Sequence, residues 1–176
     1  EMRCGMLTLS ERWQKLLAIS EVSYLTEDYL QEKFRKPEDK ESLLIVPNFL
    51  PSETVLQQIK DLKLGEALVY DNELLAAKIN MKDFSLHQIE KMTDVHEQLV
   101  VFKQPTDLFS FNEKAIDFDF ELMTKGRNSA ELSGTNGFLG EAQDLFIEEG
   151  ASIEFSTLNT KTGKIYIEKK KKKIRT

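Results

Sequence analysis

An α/β sheet protein followed by the first coil of a left-handed parallel β-helix is the fold this sequence predicts, on three observations. Apolar strand-like runs alternate with segments of helical spacing over the first 125 residues. One run, Leu43-Leu44-Ile45-Val46, is unbroken apolar sequence, the pattern of a central strand buried on both faces of a parallel sheet. Beyond Gly140 the period changes to six. Ile147-Glu148-Glu149-Gly150-Ala151-Ser152 is followed by Ile153, and Ile165-Tyr166-Ile167 stands 18 residues after Ile147. Six residues per flat face and eighteen per three-sided turn is solenoid arithmetic, with Ile147 and Ile153 pointing inward and Ala151 small enough for a corner. A hairpin would produce similar spacing, and a lone coil must lean on something else to bury its core.

The elements follow in order. Thr8 and Glu11 have the spacing of a capping box, and Leu9, Trp13, Leu16 and Leu17 fall at helical intervals, so Leu9 to Ile19 reads as a helix. Val22 to Leu25 suits a short strand. Thr26 is placed to cap a helix from Glu27 to Phe34, and the charged stretch Arg35 to Glu41 around Pro37 reads as a loop. After the Leu43 strand, Ser52 precedes a helix from Glu53 to Leu62. Ala67 to Tyr70 and Leu74 to Ile79 flank Asp71-Asn72, a hairpin turn. A helix near Phe84 to Met92 and a strand from Gln98 to Phe102 come next. Pro105 to Leu108 opens a helical stretch whose Phe109, Phe111, Phe118 and Phe120 read as core packing. Four of the eight glycines fall between Gly126 and Gly140. The predicted organisation is therefore an α/β domain over 1–125, a linker over 126–140 and the β-helix start with its lysine-rich tail over 141–176.

Composition narrows the function classes. The chain is 40% hydrophobic and 31% charged, with no apolar run long enough to span a membrane and no basic and apolar leader at its start, which reads as a cytoplasmic protein without a membrane partner. One cysteine, Cys4, excludes an internal disulfide, and with His87 and His96 it does not form a zinc-type spacing. Five lysines from Lys169 to Lys173, with Arg175, crowd the last eight residues. Setting those six cations aside leaves 18 basic against 30 acidic groups, a body of net charge −12 that repels phosphate backbones and argues against nucleic-acid binding. The lysine run reads as a solvated terminus.

Several stretches together resemble a divergent branch of the bifunctional UDP-N-acetylglucosamine pyrophosphorylase and glucosamine-1-phosphate acetyltransferase family. They are Arg3-Cys4-Gly5-Met6-Leu7-Thr8 with Glu11 and Trp13, Ser23 to Leu30, Gly65 to Leu68, Asp119-Phe120-Glu121-Leu122 with Thr124 to Arg127, and Ile147 to Ala151 with Ile165 to Ile167. The resemblance implies a Rossmann-like nucleotide-diphospho-sugar transferase layer fold, here incomplete, joined to a hexapeptide-repeat β-helix. It also implies the reaction of a sugar 1-phosphate with a nucleoside triphosphate, Mg²⁺ as cofactor in the full-length parent, an acyltransferase half in further coils, and a homo-oligomeric assembly.

Against that pattern the chain is expected to lack its first strand and phosphate loop, to be truncated at both ends, and to be inactive by itself. The alternative is a binding or scaffolding module that kept the fold. The candidate substrate-binding residues are Arg3, Gly5, Asn48, Lys125 and Arg127, with no metal ligand and no catalytic residue assigned. Arg3 reads either as a phosphate contact or as a surface salt bridge. Asn48 stands where the wider family ends a buried strand in a metal-binding aspartate, and a neutral amide is a poor magnesium ligand. It reads as a hydroxyl contact or a turn former. Lys125 and Arg127 beside Gly126 read as an anion site or as an ordinary helix C-terminus.

Overall fold

The structure, a computed structural model, describes residues 2–34, 37, 40–83 and 85–169. Phe84, most of the Arg35 to Glu41 loop and the lysine run beyond Lys169 lie outside the described residues.

The chain opens with a hairpin, β1 (Arg3–Cys4) against β2 (Leu7–Thr8), and runs directly into α1 (Leu9–Leu17). Both halves of the capping box form. The Glu11 N–H donates to the Thr8 hydroxyl and the Thr8 N–H donates to the Glu11 carboxylate, satisfying two donors a helix start leaves open. Ala18 then turns left-handed at φ 54°, which ends the helix two residues before Ile19.

Val22 to Leu25 is not a strand. Tyr24 packs its ring on Phe34 at 5.1 Å, and the Gln31 amide donates to the carbonyls of both residues, so side-chain bonds close this loop where a ladder was expected. Only α2 (Asp28–Gln31) of the longer predicted helix forms, with Glu27 rather than Thr26 at its cap position.

The main sheet has the order β3-β6-β5-β7, built from β3 (Glu41–Ile45), β5 (Glu66–Tyr70), β6 (Glu73–Asn80) and β7 (Lys91–Asp94). The β5–β6 hairpin turns on Asp71 and Asn72, both at positive φ as a tight two-residue turn requires. Two corrections follow. The Leu43 strand lies at an edge, antiparallel to β6, and is not central in a parallel sheet. Its apolar run lacks alternation because Leu43 and Ile45 face one core cluster and Leu44 another, while the open edge leaves all three partly exposed. The predicted helix near Phe84 to Met92 is instead a 3₁₀ turn, Leu86–Gln88, followed by β7 parallel to β5. The Gly65 carbonyl accepts from the N–H groups of Glu90 and Lys91 and draws this segment onto the sheet.

A second small pair joins β4 (Phe49–Leu50) to β8 (Val100–Val101), between which α3 (Glu53–Asp61) starts at a Ser52 cap. The Trp13 ring meets Phe49 edge-on at 5.2 Å, and with Val55, Ile59 and Leu68 they form the largest core cluster between sheet and helices. After α4 (Asp107–Ser110) comes α5 (Asn112–Thr124), which packs Ala115 against Cys4, Leu9, Leu50 and Phe102. Phe111, Phe118 and Phe120 join the core, but Phe109 is 85% exposed because the chain bends at Phe111 between the two helices.

The last third forms two parallel ladders. β9 (Gly137–Leu139) pairs with β11 (Thr157–Asn159), and β10 (Leu145–Ile147) pairs with β12 (Ile165–Ile167). Ile147 and Ile153 share one apolar cluster with Leu145 and Leu158, as the sequence predicts. The spacing differs from the expected 18: the registers Leu145 with Ile165 and Gly137 with Thr157 are each 20 residues apart. The turns supply the difference, through the 3₁₀ segment Ala142–Asp144 and the bend at Thr160 to Gly163. β9 falls within the stretch read as linker, as does Ala130, whose N–H donates to the Ile147 carbonyl at 2.8 Å.

Candidate functional site

The candidate site centres on the two-residue turn of the first hairpin. Between β1 and β2 only Gly5 and Met6 remain, and Gly5 adopts φ +80°, a conformation L side chains rarely take. A side-chain carbon there would stand 2.6 Å from the Asp119 carboxylate and 2.8 Å from the Ala115 backbone, so α5 approaches as closely as glycine permits.

That approach brings donors and acceptors together. The Gly5 N–H donates to Asn112 Oδ1 at 2.8 Å, and the N–H groups of Met6 and Leu7 donate to Asp119 Oδ2 at 2.9 and 3.0 Å. Arg12, on the buried stripe of α1 with Leu9 and Trp13, reaches the same carboxylate. Its Nε donates to Oδ1 at 2.7 Å and its Nη2 to Oδ2 at 2.9 Å, and Nη2 also donates to the Cys4 carbonyl. Both side chains are fully buried. A bidentate fork of this kind offsets much of the cost of removing two charges from water. Arg12 Nη1 and the neighbouring Trp13 Nε1 are buried without a hydrogen-bond partner among the described residues. Burial also raises the Cys4 thiol pKa above its ordinary value, so the thiol at this centre stays protonated.

The turn therefore presents backbone amides to an anion, as a phosphate loop does, but the anion is the protein's own Asp119. Outside it stands Arg3. Its side chain is 58% exposed, 3.6 Å from Glu11, and also donates to the Met6 carbonyl. Thr8 and Arg3 in turn depress the Glu11 pKa, the Thr8 backbone N–H contributing most.

The remaining candidates occupy other places. Asn48 donates from Nδ2 to the Phe102 carbonyl at 3.3 Å, and its own carbonyl accepts from the Phe102 N–H at 2.7 Å, so it joins β4 to β8. A neutral amide is a poor magnesium ligand, and no group of three His, Cys, Asp or Glu side chains arranged for a metal exists among the described residues. Lys125 and Arg127 lie past the far end of α5, about 20 Å from Asn112 at 1.5 Å per residue, so they cannot share a ligand with the Gly5 turn. Lys125 pairs with Glu53 at 3.1 Å in full solvent. Arg127 donates to the Met123 carbonyl at 2.9 Å, to the Tyr166 hydroxyl at 2.8 Å and to Glu148 at 3.1 Å, and lies over the Phe146 ring. The Tyr166 hydroxyl donates to the same carboxylate at 2.5 Å and, with the Lys169 N–H and Arg127, lowers its pKa to about 2. His87 and His96 are exposed.

Sequence reasoning missed Arg12 and Asp119, the pair that organises the site. A signal was present: Asp119 is a carboxylate set between Phe118 and Phe120 in the middle of a helix, and Arg12 lies between the apolar positions Leu9 and Trp13. Charges in apolar stripes predict a partner.

A family model described as sugar nucleotidyl transferase matches residues 1–128. No curated protein and no solved structure matches the chain. Among the described residues no helix is long and apolar enough to cross a membrane.

Proposed function

The chain belongs to the sugar nucleotidyl transferase family, and from that premise we propose that it carries the body of a domain that joins a sugar 1-phosphate to a nucleoside triphosphate, releasing pyrophosphate. Turnover by these 176 residues alone is low in this reading. The observation that carries it is the engagement of the Gly5, Met6 and Leu7 amides by Asn112 and Asp119. A triphosphate needs several such donors aimed at its developing charge, and each one lost typically costs on the order of a hundredfold in rate. What the turn supplies is position. Its braced backbone holds the cationic side chain of Arg3 at the surface, where it is available to a phosphate group. Mg²⁺, when present in the reaction, would neutralise phosphate charge. As a neutral amide, Asn48 is not fitted to hold it.

The two parallel ladders support reading residues 126–169 as the beginning of a left-handed β-helix, a surface for assembly into homo-oligomers. The same engagement of the turn amides favours a second reading, a binding or scaffolding module with a transferase-like body.

Pyrophosphate release decides between them, measured with uridine or thymidine triphosphate, a panel of hexose 1-phosphates and Mg²⁺. The transferase reading expects weak, saturable release that falls further in Arg3→Ala. Turnover of about 1–1000 per second, the ordinary enzymatic range, would overturn the claim that the turn donors are unavailable. Absence of both release and calorimetrically detectable binding of either substrate would favour the scaffold.

A further inference from the structure

Helix α5 is held on two nearly opposite faces. Asn112, Ala115 and Asp119 form the face that meets the Gly5 turn. Asp117 and Glu121, each two residues from Asp119 and so about 160° around the helix, form the other. That second face meets the ladder. Lys164, at the entry to β12, lies 3.1 Å from Glu121 and 3.7 Å from Asp117, with its ammonium 5.3 Å from the centre of the Phe120 ring. Two residues on, Tyr166 stacks on Phe146 at 5.2 Å and bonds Arg127, which itself closes the end of α5 through the Met123 carbonyl. The helix thus receives side-chain bonds from the ladder along its last two turns and gives side-chain bonds to the turn along its first two.

We propose that the ladder is a positioning element for the Gly5 turn, acting through α5, with Lys164 and Tyr166 as the positioning residues. A helix moves as a rigid rod on the scale of its side-chain contacts. Loosening the ladder face lets α5 shift, and the turn tolerates no shift because Gly5 already touches the helix backbone. The Met6 and Leu7 amides, bonded to Asp119, report that displacement directly. Anything that stacks on or pulls at β12, including another copy of the chain, would then alter the turn that carries Arg3.

The inference rests on reading the Gly5 turn as the border of the substrate site, but its test needs no substrate. Site-resolved hydrogen exchange is measured on the intact chain and on Lys164→Met combined with Tyr166→Phe. Exchange at Met6 and Leu7 is expected to rise roughly threefold to tenfold, the scale of a lost ion pair and cation–ring contact, while the amides of β5 and β6 stay unchanged. Lys164→Arg is expected to keep the original rates. Unchanged exchange at Met6 and Leu7, or an equal rise across β5 and β6, would overturn the coupling. Either result leaves the transferase reading as it was, and absent nucleotidyl transfer leaves the coupling as it was.

Discussion

Two arginine–carboxylate pairs bear on helix α5, one at its middle and one past its C-terminal end, and they differ chiefly in water. Arg12 and Asp119 expose none of their side-chain surface, whereas Arg127 and Glu148 expose 44% and 22%. The buried pair is surrounded by obligations: a carboxylate that serves three backbone and side-chain donors on one oxygen, and a guanidinium that also holds the Cys4 carbonyl. Removing either partner strands the other in a medium that does not solvate charge. The exposed pair has water as a substitute for each bond it loses. The same chemistry is therefore indispensable at the middle of α5 and adjustable past its C-terminal end.

Mutating the buried pair is the strongest way to break this comparison. Asp119→Ala or Arg12→Ala is expected to cost about 3–5 kcal/mol of stability, read from the midpoint of denaturant unfolding. The double replacement Arg12→Met with Asp119→Leu is expected to lose less than either single change, because no charge is stranded. A loss below 1 kcal/mol in the single variants would mean that water reaches the centre.

Gly5→Ala comes next. It puts a methyl against the Asp119 carboxylate and imposes a left-handed backbone on alanine, and thermal unfolding is expected to show a loss of about 1–3 kcal/mol. Stability equal to the parent chain would contradict the close approach of α5. Thr8→Ala, which removes the exposed cap at the same end of α1, is expected to cost about 1 kcal/mol by the same measurement.

The smallest effect belongs to the exposed pair and has a sign fixed by pH. The Glu148 pKa is depressed from 4.5 to about 2, first by the Tyr166 hydroxyl, so its contribution is complete above about pH 4.5 and fades as pH falls towards 2. Solvent screening keeps that contribution under about 1 kcal/mol. Unfolding of Glu148→Gln compared with the parent should therefore differ at pH 6 and converge near pH 2. A difference that grows on acidification would reverse the assignment.

Local chemistry was legible from the chain alone. Thr8, Glu11 and Ser52 cap their helices, and Asp71-Asn72 turns its hairpin, because each device is completed by residues within three or four positions. Ile147 and Ile153 were placed in one cluster by periodicity. The motif stretches also carried the family, since Arg3 to Trp13 and Asp119 to Arg127 bracket the whole site. What the tertiary structure decided were the partnerships across long separations. Whether Leu43 to Val46 is central or at an edge depends on which strands pair with it, and an apolar run reports only that both faces meet other residues. The segment after Ser85 became a strand because Gly65, 25 residues before Glu90, offered a carbonyl to it. Arg12 and Asp119 stand 107 positions apart, and although apolar neighbours mark each as a charge in need of a partner, nothing local says which partner it meets. Only the packing of α5 on the hairpin excludes water from both, and that exclusion is what makes a carboxylate and a guanidinium into a brace.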